Sequence, residues 1–295
     1  VKKLILLAGL SLLALIMVFA TSSMHKSSDK INQLYVFGDS LSDVGVVFRA
    51  TGGQYPPNPP YFEGRYSNGQ VWVEHLAAQL AVSPDRNTNF ACGGATTGTS
   101  SLNGIPGLGG QVQNFVKANQ TLNPNGLYVV WAGANDYLYG ASNPATVLEN
   151  LSQAVAAIAN KGAKKILVAN LPDLGQLPAT RTNPNAGALS SLTKTHNLGL
   201  SDTLNRLSQK LQPDTTIIQL DAYALYQEAI ENPAKFGFTN VTSACLDGAC
   251  SQPNQFLFWD GIHPTTAAHR ILGERAISVL KTKLSLDLPS KKVSS

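Results

Sequence analysis

From residue 31 onward, short runs rich in β-branched and aromatic residues alternate with longer segments in which apolar side chains recur every three or four positions. The short runs, at 34–37, 88–91, 127–131, 165–169 and 216–220, are mostly apolar and bounded by Gly, Asn, Asp or Pro, as strands of a buried parallel sheet are. The longer segments, at 71–80, 112–118, 145–160, 189–211, 222–230 and 265–284, predict helices. In 189–211, for example, Leu192, His196, Leu200, Leu204, Leu207 and Leu211 fall on one face. Strand and helix in alternation predict an α/β domain whose parallel sheet is covered by helices on both sides. Two stretches carry neither period: 51–68, with four Pro, and 97–110, with five Gly. Long irregular segments in compact domains often carry function. No internal repeat or shift of composition divides the chain, so one domain is expected over 32–284, followed by a polar tail at 285–295.

The N-terminus departs from this pattern. Lys2 and Lys3 precede an apolar run at 4–20 interrupted only by Gly9 and Ser11, and Val18 and Ala20 place small residues before a cut at Thr21. This pattern predicts an export signal at 1–20 and a linker at 21–31. The alternative is an uncleaved membrane anchor, because a run of this length just reaches a bilayer span. Composition adds exclusions: 43% hydrophobic and 14% charged residues fit neither a disordered nor a collagen-like chain. The formal charge is +4, or +2 without Lys2 and Lys3, too weak a balance for nucleic-acid binding. Cys245 and Cys250 bracket a Leu-Asp-Gly-Ala turn that can bring two thiols within bonding reach in an oxidising compartment. Two free surface thiols are the alternative; a metal site would need further ligands at the right spacing. Cys92, between Ala91 and Gly93, reads as a small buried apolar group.

Four segments carry candidate chemistry. The run at 34–37 leads into Gly38-Asp39-Ser40-Leu41, so a serine stands at the carboxyl end of the first strand, where open α/β sheets bind ligands. A lone serine there is also an ordinary helix cap. The second segment, Asn89-Phe90-Ala91-Cys92-Gly93-Gly94-Ala95, pairs glycines that let backbone N–H groups approach a ligand, or simply turn the chain. The third, Gly133-Ala134-Asn135-Asp136, ends the middle strand with an amide able to donate to an oxyanion or to make an Asx turn. The fourth is Asp260-Gly261-Ile262-His263-Pro264. An Asp three residues before a His can reach its Nδ1–H and leave Nε2 free as a base.

Taken in order, Gly-Asp-Ser-Leu, Asn-Phe-Ala-x-Gly-Gly-Ala, Gly-x-Asn-Asp and Asp-x-x-His-Pro resemble the four blocks of the GDSL-type esterases and lipases of the SGNH hydrolase superfamily, over roughly 32–284. The resemblance implies a three-layer α/β/α sandwich with a mostly parallel, about five-stranded, flavodoxin-like sheet. It implies Ser40 as nucleophile, His263 as general base and Asp260 as its orienting carboxylate. The oxyanion hole would be Ser40 and Gly94 through their backbone N–H groups and Asn135 through its side chain, with Gly93 the competitor of Gly94. Gly64-Arg65-Tyr66-Ser67-Asn68-Gly69 and Phe258-Trp259 resemble the secreted bacterial and plant-type branch. The implied activity is hydrolysis of carboxylic esters, small or lipidic, without metal or organic cofactor. Alternatives on the same site are a phospholipase or acyltransferase, which would meet a lipid surface, and a carbohydrate deacetylase. From another class comes a non-catalytic lipid- or carbohydrate-binding module. Asp39 and Asp43, each a conceivable triad acid, and Asp136 are expected to stabilise turns, and Arg65 to pack or pair locally, with a clamp on an anionic head group as the alternative. His75, His196 and His269 belong to helix faces or the core. Tyr55, Tyr61 and Phe62 either line a pocket or pack among the prolines.

Overall fold

In the computed structural model, residues 30–82, 88–100, 104–248 and 250–286 are described. The expected export segment, most of the linker and nearly all of the polar tail lie outside the described residues. Ile31, at the end of that linker, already belongs to the core.

A four-stranded sheet organises the molecule: β1 (Gln33–Gly38), β2 (Gly126–Trp131), β3 (Lys165–Ala169) and β4 (Thr216–Leu220), parallel throughout and in that spatial order. Every residue of β2 and β3 is buried, which is why these runs, Lys165 apart, read as apolar without alternation. The fifth strand expected at 88–91 is reduced to one bridge between Asn89 and Val36. Phe90 N–H donates to Val36 O and Cys92 N–H to Gly38 O, but the intervening Ala91 N–H turns back to Asn89 Oδ1. The segment thus extends the sheet beyond β1 for two hydrogen bonds and then peels away.

The helices are α1 (Val46–Ala50), α2 (Trp72–Leu80), α3 (Leu108–Ala118), α4 (Ala134–Leu138), α5 (Pro144–Asn160), α6 (Ala186–Ser208), α7 (Ala222–Glu231) and α8 (Thr266–Leu284). The chain moves outward from β1 to the bridge at Asn89 and then crosses back over β1 to reach β2. Right-handed crossovers therefore put α2 on one face and α3, α5 and α6 on the other. The contacts agree: α2 packs on α8, α3 on α5 and α5 on α6. The reversal leaves a switch point between β1 and β2, the place where open α/β sheets bind ligands. Beneath it lies a fully buried core that includes Phe37, Trp72, Tyr128 and Trp131.

Three further features differ from the sequence expectation. Helices α1 and α4 have only five residues each, too few for a 3.6 period to register. Helix α3 starts at Leu108, so the end of the Gly-rich stretch is helical. A separate parallel pair, β5 (Asn240–Ala244) and β6 (Phe256–Phe258), precedes Asp260. The Cys245–Cys250 disulfide, with Cα atoms 5.1 Å apart, closes the turn that follows β5.

Candidate active site

Strand β1 ends against β2 so closely that a Cβ on Gly38 would stand 2.1 Å from Trp131 O. Gln111 of α3 grips the same residue, accepting Gly38 N–H and donating to Gly38 O, both at 2.9 Å. Beyond it Asp39 Oδ1 accepts Leu41 N–H and Asp39 O accepts Ser42 N–H, a tight turn that presents Ser40 at the rim.

His263 arrives from the far end of the chain. Its Nε2 lies 2.8 Å from Ser40 Oγ and its Nδ1 2.7 Å from Asp260 Oδ2. The other carboxylate oxygen accepts the N–H groups of Ile262 and His263, so the turn itself aims the acid at the ring. Trp259 N–H donates to His263 O, and the disulfide-bounded turn is tied to the same segment by Leu246 N–H on Trp259 O. From the Pro-rich stretch, Ser67 Oγ donates to Pro264 O and Asn68 Oδ1 accepts Thr266 N–H. Burial alone would raise the pKa of Asp260, but the neighbouring His263 and its hydrogen bonds outweigh it and bring the carboxyl down to about 2.

The two glycines of the second block have different duties. Gly93 N–H donates to Asp43 Oδ2 at 2.9 Å, and a Cβ there would lie 2.0 Å from the Tyr66 hydroxyl. Gly94 has φ +81°, and its N–H has no partner among the described residues. Asn135, on α4, donates one N–H to Ala95 O at 2.9 Å, which anchors its amide beside Gly94 and leaves a second N–H. His263 is thus in hydrogen-bond reach of both Ser40 and Asp260, and the Gly94 and Asn135 donors sit together at the same strand ends. This arrangement can remove a proton from an alcohol and present N–H groups to an anion.

The remaining carboxylates are occupied elsewhere. Asp43 accepts N–H groups from Gly45, Val46, Val47 and Gly93, and Asp136 accepts both Thr97 N–H and Thr97 Oγ1–H. Asp39 lies in the interior, and burial raises its pKa to about 7. Arg65 pairs with Glu74 at 2.7 Å and with Glu63. His196 meets the Tyr137 hydroxyl, and His269 Nδ1 accepts Trp72 N–H. Burial lowers His196 to about 4 and His269 to about 3. Sequence reasoning missed Gln111 altogether. It left Tyr61 between pocket and packing, whereas its hydroxyl donates to Asp260 Oδ2 at 2.8 Å. Neither residue carries a local signal, because each acts on a partner distant in the chain.

The family model for GDSL-like Lipase/Acylhydrolase matches residues 34–276. Phosphatidylcholine-sterol acyltransferase of Aeromonas hydrophila is 28% identical, over 90% of this chain and 95% of that one. Thermolabile hemolysin of Vibrio parahaemolyticus is also 28% identical over 84% of this chain, which spans only 64% of that longer protein. Among solved structures, LAE5, described as an alpha/beta hydrolase enzyme from the metagenome of Lake Arreo, superposes with a TM-score of 0.51 at 16% identity, over 84% of this chain and 94% of that one. That likeness speaks to the fold. Because the family match runs from β1 into α8 and takes in all four segments that meet at the β1–β2 switch point, the chain belongs to the GDSL-like lipase/acylhydrolase family, whose chemistry is the hydrolysis of ester bonds.

Proposed function

We propose that this protein cleaves carboxylic esters through an acyl-enzyme on Ser40. His263 Nε2 takes the hydroxyl proton as Ser40 Oγ attacks the ester carbonyl, and Asp260 stabilises the imidazolium that forms. The backbone N–H groups of Ser40 and Gly94 and the second side-chain N–H of Asn135 receive the tetrahedral oxyanion. His263 then protonates the leaving alkoxide, and water repeats the sequence to release the acid. The observation that carries this reading is the unbroken relay Ser40–His263–Asp260, with links of 2.8 and 2.7 Å.

A serine-directed organophosphate tests it: the wild type takes one label per chain at Ser40, and Ser40→Ala takes none and loses p-nitrophenyl ester hydrolysis. A wild type that neither labels nor cleaves any activated ester would instead be a binding module.

A second reading, transfer of the acyl group to an alcohol acceptor, is supported by the near full-length similarity to an acyltransferase. Exposed apolar side chains around the mouth suit a lipid substrate: Tyr139 is 50% exposed beside Gly94, and Ile262 is 38% exposed next to His263. Phospholipid offered with and without a sterol separates the two, through the ratio of free acid to new ester. The disulfide suits export to an oxidising compartment, the location proposed here.

A further inference from the structure

The Asp260 carboxylate is held from two directions. Its own turn supplies the N–H groups of Ile262 and His263 to Oδ1. The Pro-rich stretch, nearly two hundred residues away in sequence, supplies the Tyr61 hydroxyl to Oδ2, the same oxygen that faces His263 Nδ1. The attachment is not isolated. The Tyr61 ring lies 6.4 Å from that of Tyr66, which stands 5.2 Å from the His263 ring. Ser67 and Asn68 bind the backbone just beyond His263. One loop therefore touches the acid, the base and the chain on the far side of the base.

We propose that Tyr61 is a positioning residue of ester hydrolysis, whose hydroxyl fixes the Asp260 carboxylate against His263 and withdraws charge from the oxygen the two share. The proposal rests on the reading of Ser40, His263 and Asp260 as a triad. Burial and the neighbouring Asp260 push the Tyr61 phenol upward, so it remains a donor across the working pH range. Without that donor, Oδ2 has only the imidazole to satisfy it. A more basic carboxylate holds the imidazolium more firmly, and an acid freed on one side aims the ring less well. Asp39 from the turn after β1 and His269 from α8 are near enough to His263 to act on it electrostatically, as are Tyr55 and Asp247 on Tyr61. All of these, and Tyr66, stay in place when Tyr61 alone is changed.

The test compares wild type, Tyr61→Phe and a variant carrying 3-fluorotyrosine at position 61, a stronger donor of the same shape. Hydrolysis of p-nitrophenyl acetate is followed from pH 5 to 9, with rates divided by the sites that the organophosphate titrates. Tyr61→Phe should lower kcat about five-fold with KM within about two-fold of wild type. The acid limb of kcat/KM should move up by about half a pH unit, because the imidazolium is the better-held form. Fluorotyrosine should move the limb the other way, and decides the matter alone if the Phe variant does not fold. Acid limbs that superimpose per titrated site overturn the proposal, as does a rise in KM at constant kcat, which would put Tyr61 on the substrate. A wild type that takes no label overturns the triad reading, and this proposal with it.

Discussion

At the scale of single residues, Gly93 and Gly94 are neighbours in one turn with opposite roles. The Asp43 carboxylate consumes Gly93 N–H, and the Tyr66 hydroxyl fills the space where a Gly93 side chain would go. Gly93→Ala should therefore act through folding, costing about 1–3 kcal/mol as an overpacked site does, and a denaturant midpoint will register it. Asn135→Ala should do the reverse. It leaves the fold intact and lowers kcat by about a hundred- to a thousand-fold, roughly 3–4 kcal/mol of transition-state stabilisation, because one oxyanion donor is gone. A variant with wild-type turnover would remove Asn135 from the hole. The identity of these residues was legible in the ordered blocks, but which glycine keeps a free N–H was not, since Asp43 decides it from another turn.

Among elements, the junction of β1 with β2 carries the most constraint. Gln111 accepts Gly38 N–H and shares Gly38 O with Cys92 N–H, so Gln111→Leu strands the buried Gly38 donor and should destabilise by about 1–3 kcal/mol. Equilibrium unfolding measures the loss, and an unchanged free energy would mean that water replaces the amide. The disulfide closes a short turn beside the β6–Asp260 segment, and Cys245→Ser with Cys250→Ser should lower stability by about 2 kcal/mol in the chain-entropy account. The main strands were legible because β2 and β3 are buried on both faces and their runs are unbroken. Strands β5 and β6 were not. Thr242 and Ser243 are exposed within β5, so the pair carries no apolar period.

For the whole molecule, the order of the sheet turns separate segments into one site, and the packing of α2 on α8 holds its two ends together. His269 lies in that packing, fully buried, with Nδ1 accepting the first N–H of α2 from Trp72. Its folded pKa of about 3 lies below the ordinary 6.5, so the neutral ring is the form the fold stabilises. Between those values the unfolded chain binds the extra proton. The stability that this ring contributes is thus full above pH 6.5 and drains away as the pH falls toward 3. His269→Gln should reduce the stability lost between pH 7 and pH 4.5 by about 2 kcal/mol, whatever it costs at neutral pH. Urea unfolding at the two pH values gives the comparison. An unchanged difference would place the acid sensitivity elsewhere, with His196 the next candidate.

The sequence by itself determined what neighbouring residues can do for one another. An Asp three residues before a His meets its ring within one turn, and a serine after an apolar run stands at a strand end, because both follow from local chain geometry. Only the tertiary structure brings distant partners into contact: Ser40 with His263 across 223 residues, Asp43 with Gly93, Gln111 with Gly38 and Tyr61 with Asp260. Each of those bonds joins segments that the order of the strands brings together. A hydrogen bond reaches about 3 Å, and no pattern along the chain brings such residues that close before the sheet does.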